Sequence, residues 1–163
     1  MKIGIVGTGN ISTRHFSEFN SMQNVSIEAV CDTNEKNLNK FLSNINNTNI
    51  RGYLSLEEML EKEKSFDGIS NTTPDKFHKE TTLTILKNGY NVFCEKPLAE
   101  NYSDAKDMVN AAIQSNKINM VNFTYRESSA YQKLVEILKS GEIGSPRHVS
   151  ACYYQSWLTS NKW

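Results

Sequence analysis

Two short stretches combine residue types and spacing that chemistry can use. Gly7-Thr8-Gly9-Asn10-Ile11-Ser12 directly follows the apolar run Lys2–Val6 and reads as a strand-to-helix turn. Gly7 permits a tight turn, and Gly9 lets a backbone approach a pyrophosphate. The phosphate then sits at the positive end of the following helix. Ser12 fills the third small-residue position with neither glycine nor alanine, and its hydroxyl is expected to tighten the helix–strand contact. Asp32 lies 20 residues past Ser12 at the end of a second apolar run. A carboxylate there can accept both hydroxyls of an adenosine ribose and repels a 2′-phosphate, which favours NAD. Thr33 follows rather than arginine, while Lys36 keeps NADP open. The plainer alternatives are a strand–helix turn without a ligand and, for Asp32, a helix N-cap in the cap-rich run Asp32-Thr33-Asn34.

The second stretch lies downstream. Asn71-Thr72-Thr73-Pro74, with His78 just into the next helix, and Glu95-Lys96-Pro97 each follow an apolar strand. Ligands of an open parallel sheet lie at the carboxyl ends of its strands. Lys96 in that crevice is a candidate proton donor or acceptor beside a reacting carbon. Glu95 has a plainer alternative, pairing with Lys96 or a backbone amide. For His78 a packing role stands beside cofactor contact. His15 reads as packed or solvated within the first helix, and His148 as structural or at the surface. Cys94, inside a strand, reads as an inert small hydrophobe. Tyr102, Tyr125, Tyr131, Tyr153 and Tyr154 read as core or rim. No His/Cys/carboxylate cluster has metal-ligand spacing, so no metal is expected.

The elements that must position these residues alternate. Strands are expected at Lys2–Val6, Val25–Cys31, Arg51–Tyr53, Phe66–Ser70, Asn91–Cys94 and Ile118–Phe123. Helices are expected from about Ile11, and over the asparagine-rich stretch with Leu38, Phe41, Leu42 and Ile45 at helical spacing. Others start after the capping pattern Ser55-Leu56-Glu57-Glu58, at Pro74 (closed by Gly89), and at Asn101-Tyr102-Ser103-Asp104 with Val109, Ala112 and Ile113 facing inward. Strand–helix alternation with β-branched strands predicts an α/β, Rossmann-type doubly wound parallel sheet. From residue 124 the rhythm changes. A helix is expected over Ser129–Lys139, with Tyr131, Leu134, Val135 and Leu138 on one face, then a long strand over Arg147–Trp157. This reads as a dinucleotide-binding domain over 1–123 and the first helix and strand of an incomplete α+β domain over 124–163.

Composition sets outer bounds. The 163 residues carry 18 Lys+Arg and 18 Asp+Glu, which argues against a broad electrostatic grip on nucleic acid or an anionic membrane. No apolar run approaches the ~18 residues of a membrane helix. Three cysteines without CxxC spacing suggest free thiols in a reducing, cytoplasmic setting.

Taken in order, these motifs resemble the Gfo/Idh/MocA (glucose–fructose oxidoreductase, inositol dehydrogenase, rhizopine catabolism) family of nicotinamide-dependent oxidoreductases. The residues that carry the resemblance are Gly7-Thr8-Gly9-Asn10-Ile11, Asp32, Thr73-Pro74 with His78, Glu95-Lys96-Pro97, Asn122 with Arg126, and Gly141-Glu142-Ile143-Gly144. The resemblance implies that the first domain binds NAD or NADP, with Asn122 and Arg126 added to the cofactor-binding set. Thr72–Pro74 would run along the cofactor and Glu95 near the nicotinamide ribose. Lys96 would contact the hydroxyl of a sugar- or polyol-like substrate as hydride passes to or from nicotinamide. It also implies a histidine–aspartate acid/base pair beyond Trp163, and homo-oligomers formed through the second domain's sheet. These 163 residues alone are then expected to bind cofactor with little or no turnover. The competing reading is a dinucleotide-binding or sensing module without chemistry.

Overall fold

β1 (Lys2–Val6) is the strand from which the fold is built, and its pleat shows how both faces are covered. Ile5 points into one cluster with Val30, Leu38, Phe41 and Ile50. Val6 points into the other, with Ala29, Cys31, Met59, Ile69, Ile85 and Val92. A strand buried on both sides has to be apolar, as Ile3–Val6 is, with Lys2 exposed at its start. The computed structural model describes residues 1–45 and 49–154. Its first unit, Met1–Phe123, is an all-parallel six-stranded sheet in the order β3-β2-β1-β4-β5-β6. The other strands are β2 (Ser26–Cys31), β3 (Arg51–Tyr53), β4 (Gly68–Asn71), β5 (Asn91–Glu95) and β6 (Asn119–Asn122). The strand order reverses direction at β1, where β2 lies on one side and β4 on the other. That reversal opens a crevice at the carboxyl ends of the strands.

Five helices complete this unit: α1 (Asn10–Ser21), α2 (Glu35–Ile45), α3 (Leu56–Lys62), α4 (His78–Lys87) and α5 (Tyr102–Ser115). Local chemistry sets their starts. The Ser55 hydroxyl accepts from the Glu58 amide at 3.1 Å, and the Asn101 side chain accepts from the Asp104 amide at 3.0 Å. Each such cap satisfies one orphan N–H and contributes about 1 kcal/mol.

Several expectations shift. β4 starts at Gly68 rather than Phe66, because Phe66 packs into the core ahead of the ladder, where its ring meets Tyr90 edge-on. Pro74 is not the first residue of α4. It caps a single 3₁₀ turn, Asp75–Phe77, that leads into the helix. The inner face of α5 is Met108 and Ala112, while Val109 and Ile113 are 47% and 73% exposed. The two stripes have the same i, i+4 spacing and are one position apart, so the sheet rather than the period selects between them. Residues 46–48, within the asparagine-rich stretch, lie outside the described residues.

The second unit starts at Thr124 and contains α6 (Ser129–Ser140), capped by the Ser128 side chain and closed by Gly141 at φ +75°. Tyr131, Leu134, Val135 and Leu138 form the expected stripe and are exposed. The strand expected over Arg147–Trp157 is not found. Residues 147–154 carry no strand, and 155–157 lie outside the described residues. A strand needs a hydrogen-bonded neighbour, and none borders this segment among the described residues.

Gly7 and Gly9 should respond in opposite ways to an added methyl. Gly7 sits at φ +87°, and a Cβ there would stand 2.8 Å from the Thr72 backbone, whereas a Cβ on Gly9 meets nothing within 4 Å. Gly7→Ala should lower the unfolding free energy by about 2 kcal/mol or more, and Gly9→Ala by under about 1 kcal/mol. Urea denaturation of the two variants measures both.

Candidate cofactor and catalytic site

The carboxyl end of β1 turns at Gly7, directly against the end of β4. The Thr72 hydroxyl bonds to the carbonyls of Val6 (3.0 Å) and Gly7 (2.7 Å), and the Gly7 amide donates to the Cys31 carbonyl at the end of β2. Three strand ends are thus tied together at the crevice. α1 then begins at Gly9 with no side-chain cap and no acidic residue in its first turn. Ser12, fully buried, donates its hydroxyl to the Gly9 carbonyl at 2.5 Å, while Asn10 and Ile11 are exposed. The helix therefore offers uncapped backbone N–H groups beside the open space over Gly9, the arrangement a phosphate requires. The residues present fit a dinucleotide pyrophosphate.

Asp32 follows the end of β2. Its Oδ2 accepts from both the Thr8 amide and the Thr8 hydroxyl at 2.8 Å, and its Oδ1 accepts from the Asn34 amide at 2.8 Å. The N-cap of α2 is Asn34, whose Oδ1 takes the Lys36 and Asn37 amides, so Asp32 is not spent on capping. A carboxylate has about four acceptor positions. Three are taken by these protein donors, which leaves one open to a further hydroxyl donor. Lys36 is exposed on α2.

Two buried networks lie at the ends of β4 and β5, on opposite faces of the sheet. On one face, Asn71 accepts from the Thr73 amide (3.3 Å) and hydroxyl (2.7 Å), and donates to the His78 carbonyl and the Thr82 hydroxyl. His78 has 0% exposure. Its Nδ1 lies 2.8 Å from the Pro97 carbonyl oxygen and its Nε2 lies 2.8 Å from that of Thr73. A carbonyl only accepts, so a ring nitrogen bonds to one only where it carries a proton, and a neutral ring donates to one of the two according to its tautomer. The expected direct cofactor contact by His78 is therefore corrected. With no accessible surface and both ring nitrogens committed, His78 instead joins the Thr72–Pro74 turn to the Lys96-Pro97 turn. Cys94 lies on the same face, and burial pushes its thiol up to about 11, in keeping with an inert thiol.

On the other face the pleat gathers polar groups that are distant in sequence. Ser70 pairs with Phe93 and Glu95 with Asn122, so all four side chains point toward α1. From α1, His15 reaches Ser70 Oγ with Nδ1 (2.9 Å) and Glu95 Oε1 with Nε2 (2.7 Å). Asn122 Nδ2 donates to the same Oε1 at 2.5 Å, and the Lys96 amide donates to Oε2 at 3.1 Å. Burial pushes the Glu95 carboxyl up, but the hydrogen bonds from Asn122, His15 and the Lys96 amide outweigh it and hold it below its ordinary value. Lys96 itself is exposed, and its ammonium pairs with no carboxylate among the described residues. Arg126 belongs to the second unit, where its Nε lies 3.7 Å from Glu127.

The sequence reading did not single out His15 or Ser70 for this cluster. The one available signal was that Ser12 and His15, three apart, share the inner face of α1. Among the described residues no group of three or more His, Cys, Asp or Glu could hold a metal, and no helix is long and apolar enough to cross a membrane.

The His78 link is testable by stability. His78→Leu removes the buried ring that bridges the Thr73 and Pro97 carbonyls and should cost about 1–3 kcal/mol in urea denaturation, whereas His148→Ala, at an exposed position, should stay within about 0.5 kcal/mol.

Comparison with known proteins bears on the family and the fold. A family model described as "Oxidoreductase family, NAD-binding Rossmann fold" matches residues 1–123. Myo-inositol 2-dehydrogenase of Thermotoga maritima is 27% identical over 146 residues, 90% of this chain and 43% of that protein. The 2,7-anhydro-N-acetylneuraminate hydratase of Escherichia coli is 31% identical over 142 residues, 86% of this chain and 36% of that protein. Among solved structures, the WlbA dehydrogenase of Bordetella pertussis in complex with NADH and UDP-GlcNAcA superposes with a TM-score of 0.80 at 26% identity, covering 88% of this chain and 43% of that one. The chain thus spans about two fifths of the length of these relatives. With the glycine turn, Asp32 and the Glu95-Lys96-Pro97 strand end all inside the matched 1–123, the chain belongs to the Gfo/Idh/MocA oxidoreductase family through its NAD-binding Rossmann fold.

Proposed function

We propose that this chain is the cofactor-holding part of an oxidoreductase that moves hydride between NAD and a hydroxyl- or carbonyl-bearing carbon of a sugar or polyol. The observation that carries this reading is the meeting of an uncapped α1 N-terminus with Lys96 on one crevice at the carboxyl ends of β1, β4 and β5. Asp32 would hold the adenosine ribose, and Gly7-Thr8-Gly9-Asn10-Ile11 the pyrophosphate. Thr72, Thr73 and Pro74 would line the path toward nicotinamide, with Glu95 and Asn122 near its ribose. When bound, the dinucleotide supplies a two-electron hydride acceptor. Lys96 would contact the substrate hydroxyl through its Nζ, which in the uncharged amine form would take up the hydroxyl proton and leave the electron pair on the oxygen that becomes the carbonyl. The substrate class is supported by relatives named for inositol and for a UDP-sugar acid.

Residues 1–123 would then form the dinucleotide-binding domain. Residues 124–163 would begin a substrate and oligomerisation domain, with pairing of copies through its sheet. A reducing cytoplasm suits the buried Cys31 and Cys94 thiols, pushed by burial to about 12 and about 11.

Titration calorimetry of the 163-residue chain tests the reading. NAD(H) should bind. Asp32→Asn should weaken that binding about tenfold, because a charge-assisted hydrogen bond contributes about 1.5–3 kcal/mol. Gly9→Ala should weaken binding while leaving the fold intact, and Lys96→Ala should spare most of it. The same chain should show little or no turnover of polyols. Absence of binding to either nicotinamide dinucleotide would contradict the assignment.

A further inference from the structure

The buried cluster under α1 carries a charge that the cofactor reading leaves unused. His15 and Glu95 are 5% and 6% exposed, and Ser70 is more deeply buried still. One proton arrangement gives every donor an acceptor: the Ser70 hydroxyl donates to His15 Nδ1, and the His15 Nε2–H donates to Glu95 Oε1. A second proton on the ring would turn Nδ1 into a donor toward Ser70, and the Ser70 hydroxyl has no other acceptor among the described residues. In the closed arrangement the imidazole is uncharged, and the cluster keeps the full charge of one carboxylate. Three donors hold that carboxylate: His15 and Asn122 on Oε1, and the Lys96 amide on Oε2. A buried carboxylate is costly unless hydrogen-bonded, and the three bonds offset that cost without cancelling the charge.

The position of this charge is informative. Asp32, at the end of β2, takes the adenosine half of a dinucleotide that crosses the sheet at the β1/β4 reversal. The nicotinamide half then extends over the ends of β4 and β5, where Glu95 is the last residue of its strand. The oxidised nicotinamide ring is a cation and the reduced ring is neutral. A fixed anion beside the ring acts on the first and not on the second.

We propose that Glu95 is the fixed counter-charge of the nicotinamide half of the site, biasing it toward the oxidised cofactor, and that His15, with Asn122, is the positioning residue that holds it there. The inference rests on the dinucleotide reading and adds a redox-state preference to it. His15 touches neither cofactor nor substrate; it acts through Glu95.

The test is the ratio of the NAD+ and NADH dissociation constants at neutral pH, measured by calorimetry on the full 163-residue chain. A purely structural defect weakens both forms alike, whereas loss of a local charge weakens NAD+ selectively. Glu95→Gln should raise Kd(NAD+)/Kd(NADH) by about five- to tenfold. His15→Leu should shift the ratio the same way. His15→Gln, which can still donate to Glu95, should keep it within about twofold of the unsubstituted chain. Asn122→Leu removes one of the two donors on Oε1 from a half-buried position on edge strand β6, so it supplies a variant that folds if Glu95→Gln does not. It too should raise the ratio. An unchanged ratio in Glu95→Gln, or in Asn122→Leu where Glu95→Gln is not folded, overturns the proposal. Failure of the unsubstituted chain to bind either form would instead remove the cofactor reading on which the proposal stands.

Discussion

The approach of Gly7 to the backbone of Thr72 and Thr73 is the constraint from which the rest of the site follows. At φ +87°, with room for no side chain, Gly7 lets the end of β1 lie against the end of β4. The Thr72 hydroxyl then secures the seam by bonding to the last β1 carbonyl, Val6, and to that of Gly7. Because β1 is where the sheet reverses its winding, this seam sets where α1 starts and which way its N-terminus points. A side chain here would force the strand ends apart. The phosphate site would move with them, since the helix dipole and its free amides act only within the first turn.

The second half of the site depends on the seam through two networks that flank the same strands. On one face, His78 joins the turn after β4 to the turn after β5. On the other, His15 joins β4, β5 and β6 through Ser70, Glu95 and, alongside it, Asn122. The exposed Lys96 emerges between them with its backbone held by both: its own amide on Glu95, and the next carbonyl, Pro97, on His78. A side chain on a backbone held by buried hydrogen bonds is the arrangement that the role proposed for Lys96 calls for.

The sequence made the scaffold and the ligand-facing loops legible, and left their supports obscure. Strand–helix alternation and the motifs after β1, β2, β4 and β5 have local signatures, since turns and caps are decided within a few residues. His15 has none, for its partners Ser70 and Glu95 lie 55 and 80 residues away. Only the pleat and the register put them under one helix. The same limit explains α5, where two equivalent apolar stripes stood one position apart, and residues 147–154, where alternation was visible but pairing is not local. The motif around His78 could not reveal that both ring nitrogens face carbonyls.

The central claim is that one dinucleotide lies across the carboxyl ends of β2, β1, β4 and β5, with its phosphates on α1. The most direct measurement is amide chemical-shift mapping of the isotopically labelled 163-residue chain titrated with NAD+. The predicted result is a contiguous set of large shifts at Gly7–Ser12, Asp32, Thr72–Thr73 and Glu95–Lys96, with the amides of α3 and β3 near zero. Shifts concentrated away from the α1 N-terminus, or none at saturating NAD+, would contradict it.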